Sequence, residues 1–196
     1  MDLSSITPSP TALKALTHPT RLRMLGLLRV EGPATATTLA TRLGLNTGAT
    51  SYHLRQLAEH GFVVEDTERG NARDRWWRAA QQATSFPSHL ARSEDERQTL
   101  DAFIQAAMIV HTESLQAAME ERPMLSQEWR NASSFSDWML KVPASRAEEL
   151  STRLKAIVSE WDEDLDAEDA ADFVVQLHAF PRPGVVDRPV EPGSDE

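Results

Sequence analysis

The sequence predicts a mainly α fold with a small β component, an α+β arrangement of one compact module, a long helix and a second module. Three observations carry this. Apolar residues recur at helical spacing over 19–30, 35–43, 46–61 and 93–121. Two runs rich in β-branched and aromatic residues, FVVEDT and DRWWRAA, flank a turn-rich tip. Glycine or proline stands at most of the junctions between these stretches.

The first residues, 1–10, MDLSSITPSP, carry two prolines and several hydroxyl residues and read as a flexible arm. Thr11 is placed to cap a short helix holding Leu13 and Leu16, and His18-Pro19 interrupts it, because a residue before proline is pushed out of the helical region. Proline suits a first helical turn, so the next helix starts at Pro19. Its apolar set (Leu22, Met24, Leu25, Leu27, Leu28, Val30) is wide enough to be buried on more than one face, and Glu31-Gly32-Pro33 stops it. The helix over 35–43 places Leu39, Ala40 and Leu43 on one stripe. After the Gly44-Leu45-Asn46 turn, a helix over 46–61 sets Thr50, Leu54 and Leu57 inward and Thr47, Gly48, Ser51, Tyr52 and Arg55 outward. Gly61 ends it before the first strand-like run. Helix, turn, helix, then a hairpin with an arginine-bearing tip is the order of a winged helix-turn-helix, with 46–61 as the helix that enters DNA.

Charge is distributed unevenly. The 196 residues carry a formal net charge of -10, yet residues 1–80 hold ten Lys or Arg against seven Asp or Glu. The basic balance therefore sits with the DNA-binding pattern, and the acidic balance lies in residues 81–196. Cysteine is absent, which excludes disulfides and thiolate metal or redox sites. No stretch approaches the roughly 18 apolar residues of a spanning helix, and no secretory signal is present, so the expectation is a cytoplasmic protein that does not enter a membrane.

Three linked motifs, His18-Pro19-Thr20-Arg21, Leu39-Ala40-Thr41-Arg42-Leu43-Gly44 and Ser51-Tyr52-His53-Leu54, resemble those of the ArsR-type winged-helix repressors over residues 11–80. The resemblance implies a homodimeric, sequence-specific repressor that binds a pseudo-palindromic site on double-stranded DNA. It also raises metal sensing, and the residues for that are missing. Where thiolate sensors carry a Cys-x-Cys run, this chain has 34–40 without cysteine. On the long helix His111 stands alone, and Glu113 points about 200° away. No metal and no other cofactor is expected.

Beyond residue 80 comes a linker, 81–92, with Pro87. The helix over 93–121 repeats Leu100, Phe103, Ile104, Ala107, His111, Leu115 and Ala118, and Ile109 and Val110 widen the stripe to a second face. One face is read as packing on its own module and the other as a dimer contact. The resemblance implies dimerisation there, and the spacing permits it. A short helix with Trp129 comes next. SFSDWMLKV (134–142) alternates as a strand, Ser145-Arg146-Ala147-Glu148 fits a capping box, and residues 173–180 read as another strand. Residues 93–181 thus form a dimerisation and effector module of α+β type, and the acidic tail 182–196 reads as disordered.

In the recognition helix, Gly48 admits close backbone approach, Thr47 and Ser51 can bond phosphates or bases, and Arg55 can grip a guanine edge. His53, beside Leu54, is read as a structural residue. Arg69, Asn71, Arg73 and Arg75 line the wing, where phosphate or minor-groove contact fits; of Trp76 and Trp77, on opposite faces of their strand, at least one belongs to the core. Trp129, Trp138, Trp161 and His178 are candidates for binding a small apolar effector, against the blander reading that the aromatic residues are core. Asp162-x-Asp164-x-Asp166 starts like a calcium loop and then fails, with Ala167 where glycine is required and Phe173 where the bidentate Glu belongs. No phosphate-binding Gly-Lys loop, dinucleotide glycine triad or nucleophile elbow is present, so the chain is not read as an enzyme. The competing reading is a winged-helix protein-interaction module with no specific DNA binding, its acidic half repelling nucleic acid.

Overall fold

The computed structural model describes residues 5–69, 74–84, 91–162 and 167–186. Seven α-helices and five short strands are assigned among them: β1 Ser5–Ile6, α1 Pro10–Leu13, α2 Pro19–Val30, β2 Ala34–Thr35, α3 Ala36–Leu43, α4 Thr47–Glu59, β3 Val63–Glu65, β4 Trp76–Ala79, β5 Ala83–Thr84, α5 Glu94–Glu121, α6 Gln127–Ala132 and α7 Ala144–Ser159. The fold is mainly helical with a small three-stranded sheet and a long helix, as expected. The chain divides into two units, Met1–Ser136 and Asp137–Glu196.

Local chemistry sets the helix starts in the first unit. Ser9 Oγ accepts from Ala12 N–H at 3.2 Å and caps α1, a role the sequence gives to Thr11. Thr35 Oγ1 accepts from Thr38 N–H at 3.1 Å at the start of α3, and Asn46 Oδ1 accepts from Ala49 N–H at 2.8 Å at the start of α4. Each satisfies an amide that the first turn cannot pair internally. The two helix ends that aim α4 both rest on glycine. Gly44 takes φ +64° after α3, and Leu45 N–H reaches back to Ala40 O at 2.9 Å. Gly61 takes φ +76° after α4, and Phe62 N–H reaches Leu57 O at 2.9 Å. Both are closures that a left-handed residue makes without Cβ strain.

The core gathers Leu16, Met24, Leu25, Leu28, Leu39, Leu54, Leu57, Phe62, Val63 and Trp77. Helices α2, α3 and α4 thus bury their stripes against the sheet, whose order is β2-β4-β3, all antiparallel. Ala34 lies opposite Trp77, and Trp77 in turn lies opposite Glu65, so the buried tryptophan sits at the centre of the sheet. Val30, in the predicted apolar set of α2, is instead 56% exposed at the helix end.

A second, two-stranded sheet is not expected from the sequence. Ser5 and Ile6 pair in parallel with Ala83 and Thr84, which ties part of the predicted arm to the strand after the wing. Pro8, two residues on from Ile6 along the chain, is buried. Arg29 of α2 fixes the same corner, its guanidinium donating to Gln81 O at 2.9 Å and Thr84 Oγ1 at 2.8 Å. Burial holds that side chain's pKa down to about 10.

Helix α5 opens with a capping box, Ser93 Oγ taking Glu96 N–H at 3.2 Å while Glu96 Oε2 takes Ser93 N–H at 2.9 Å. Its first half packs on α1 and α2 through buried Thr99, Leu100 and Ala106, and Arg23 Nε of α2 donates to Glu113 Oε2 at 2.7 Å. On its open side the helix presents Ile104, Met108, Ile109, Leu115 and Met119 at 36–50% exposure.

The second unit departs from expectation. The strands predicted at 134–142 and 173–180 do not form; those residues belong to no helix and no ladder. Alternation supplies strand propensity, but a strand needs a neighbour to pair with, and the strands among the described residues all lie before residue 85. The predicted capping box at Ser145 is also absent: the cap of α7 falls two residues earlier, on Pro143, with no side-chain hydrogen bond there. Residues 163–166, inside the acidic run, and 187–196, in the predicted tail, lie outside the described residues.

Candidate nucleic-acid interface

Packing decides what α4 can show to a partner. Thr50, Leu54 and Leu57 are fully buried, with Thr50 Oγ1 donating to Asn46 O at 3.1 Å, so this face holds the helix against α2 and α3. The opposite face is open: Thr47, Gly48 and Arg55 are exposed, Tyr52 is 53% exposed, and Ser51 is half-buried. Arg55 Nε donates to Ser51 O at 3.3 Å, which steadies the side chain along the helix and leaves the rest of its guanidinium to meet a ligand. At Gly48 a Cβ would lie 3.3 Å from Asn46 Oδ1, so the glycine also keeps the N-terminal cap uncrowded.

The wing contributes a second surface. Arg69 pairs with Asp66 at 3.6 Å, and Arg75 pairs with Glu65 at 3.3 Å while its guanidinium lies 5.8 Å from the Trp77 ring centroid. Both arginines keep side chains 60% exposed, in the range where such pairs are worth about 0–1 kcal/mol and readily exchange for another anion. Asn71 and Arg73 lie outside the described residues. Trp77 is the core member of the tryptophan pair and Trp76 is half-buried.

His53 points into the module. Its ring centroid lies 4.8 Å from that of His18 and 5.5 Å from that of Tyr52, and its Nδ1 is buried with no hydrogen-bond partner among the described residues. Burial first, then His18 and Arg21, hold the His53 imidazole below its ordinary pKa. His18 is the residue that sequence reasoning missed. Its Nδ1 accepts Thr20 N–H at 3.2 Å and so caps α2, and burial, then Arg21 and Arg23, lower its pKa too. The signal was its place directly before Pro19, where a cap must stand.

Of the proposed effector residues, Trp129 lies in the first unit and is half-buried; Trp138, Trp161 and His178 lie in the second. Trp138 and Trp161 are 79% and 77% exposed, a state in which neither ring lines an enclosed cavity. Among the described residues no group of three His, Asp or Glu is placed to hold a metal ion, and no helix is long and apolar enough to cross a membrane.

A buried-face helix following a glycine-ended turn, with its polar face open and a hairpin beside it, is the arrangement that comparison with known proteins can test. Residues 16–66 match the family model of a helix-turn-helix domain. The matched span begins at Leu16 and ends on Asp66, so it holds α2, α3, α4 and β3. It supports a DNA-binding transcriptional regulator. No curated protein matches the chain. Two solved structures of a Lactococcus lactis ZitR double mutant resemble it at 18% identity. One, in the apo form, overlaps 72% of this chain and 80% of that one with a TM-score of 0.32; the other overlaps 72% and 73% with a TM-score of 0.31. Both likenesses are faint, and the fold stands on the chain's own structure.

Proposed function

We propose that the chain is a homodimeric transcriptional repressor of the ArsR type, in which α4 enters the major groove of double-stranded DNA and the wing grips the flanking backbone. The observation that carries this reading is the division of α4. Thr50, Leu54 and Leu57 fix the helix to the core while Thr47, Gly48, Ser51, Tyr52 and Arg55 line its other side. A helix used only for packing has no need of a hydroxyl, a glycine, an aromatic ring and a guanidinium together on its open face, whereas base edges and phosphates are read by such groups.

The exposed row on α5, Ile104, Met108, Ile109, Leu115 and Met119, supports the dimer, since a helix apolar on two sides needs two partners. Two-fold pairing sets two copies of α4 about 34 Å apart, on a site of matching symmetry. Selection from a random duplex library tests the reading: the expected outcome is an enriched pseudo-palindrome with half-sites about 10 base pairs apart. No enrichment over a random pool would count against it. Arg69 and Arg75 each sit beside a carboxylate, which favours a second reading of the module as a protein-binding surface. Failure to bind any duplex at low salt would select that one.

A further inference from the structure

In the second unit none of the described residues is buried, and α7 buries none of its side chains. Trp138, Met139, Leu140 and Val142 stand 79%, 84%, 63% and 46% exposed, and Trp161 and Phe180 are at 77% and 74%. Soluble chains rarely leave such a patch in water unless something covers it.

The charges select the cover. Between residues 133 and 143 only Asp137 and Lys141 are charged, and they stand symmetrically about Met139. The acidic residues of this unit gather instead between Glu160 and Asp172, which disfavours nucleic acid as the cover. We propose that residues 137–141 pair antiparallel with the same residues of a second copy of this chain, about a two-fold axis at Met139. In that register Asp137 faces the partner subunit's Lys141, and the reverse contact repeats across the axis. Trp138 faces the partner subunit's Leu140 on the opposite side of the pleat, so charged and apolar pairs separate onto two faces. The pairing also accounts for a segment that alternates like a strand and has no ladder among the described residues: the neighbouring strand belongs to another copy. This rests on the homodimer reading and adds a contact distinct from α5.

The native sequence has no cysteine, so a single introduced one is a clean probe. Met139→Cys is expected to form a disulfide-linked dimer on mild oxidation. Lys141→Cys is not, because in this register it lies about 14 Å along the strand from its own copy, beyond the ~7 Å limit for a bridge. Asp137→Lys should weaken dimerisation about ten-fold in sedimentation analysis, and adding Lys141→Asp should restore it. Equal cross-linking of both cysteine variants, or a dimer indifferent to Asp137→Lys, overturns the pairing. A dimer that persists through those variants and is lost with Ile109→Glu leaves the α5 reading standing and this one refuted. A wild-type chain that sediments as a monomer at micromolar concentration refutes both.

Discussion

At the scale of single residues, the seating of α2 and α4 depends on imidazoles that must stay neutral. His18 Nδ1 caps α2 only while it carries a lone pair, and His53 is packed against it at 4.8 Å, with Arg21 and Arg23 acting on the pair. Both groups have pKa values below the ordinary imidazole value of about 6.5. The unfolded chain therefore takes up these protons first. The stability they contribute is complete above pH 7 and is lost as the pH falls through about 6.5 and below. Thermal unfolding should show a constant Tm from pH 8 to 7 and a falling Tm between roughly 6.5 and 5.5, before most carboxylates titrate. His18→Asn keeps an acceptor at the cap and removes one of the two titrations, so it should flatten the curve. A wild-type Tm unchanged across that window would contradict the account.

At the scale of elements, the two faces of α4 should respond differently to truncation. Leu54 is fully buried between α2, α3 and the sheet, and Leu54→Ala should cost about 2–5 kcal/mol through lost contacts and a residual cavity. Tyr52 is 53% exposed on the open face, and Tyr52→Ala should stay within about 0.5 kcal/mol of wild type in chemical denaturation. Comparable losses at both positions would mean that the open face is packed after all.

This division was legible in the sequence because the spacing of Thr50, Leu54 and Leu57 is local, as are the Asn46 cap and the glycines at 44 and 61. What could not be read depends on partners distant along the chain. The β1–β5 ladder joins Ser5 to Ala83, and Arg29 reaches Gln81 and Thr84, so neither leaves a periodic trace. The strand expected at 134–142 failed for the converse reason: alternation was present, and a hydrogen-bonding neighbour was not. In the candidate site, the outward row of α4 was readable from periodicity. The capping role of His18 was readable from its place before Pro19, whereas its packing against His53 required seeing the two rings 4.8 Å apart.

At the scale of the whole molecule, the charge asymmetry sets how the chain meets DNA. In the proposed complex, the basic surplus of residues 1–80 and the exposed wing arginines would supply a sequence-independent attraction, while the acidic remainder would limit nonspecific binding. The logarithm of affinity should fall linearly with the logarithm of salt concentration, with a slope of about 0.9 for each phosphate neutralised. Arg69→Ala and Arg75→Ala should each reduce that slope by about 1 and weaken selected and random duplexes alike. Unchanged slopes would remove the wing from the interface.

The central claim is that the open face of α4 reads bases, and Arg55 tests it most directly. In equilibrium titrations of the selected operator against a random duplex at one salt concentration, Arg55→Ala should lose about 1–3 kcal/mol of discrimination, with sedimentation and thermal stability as in wild type. Discrimination equal to wild type in a folded, dimeric Arg55→Ala protein would contradict the account.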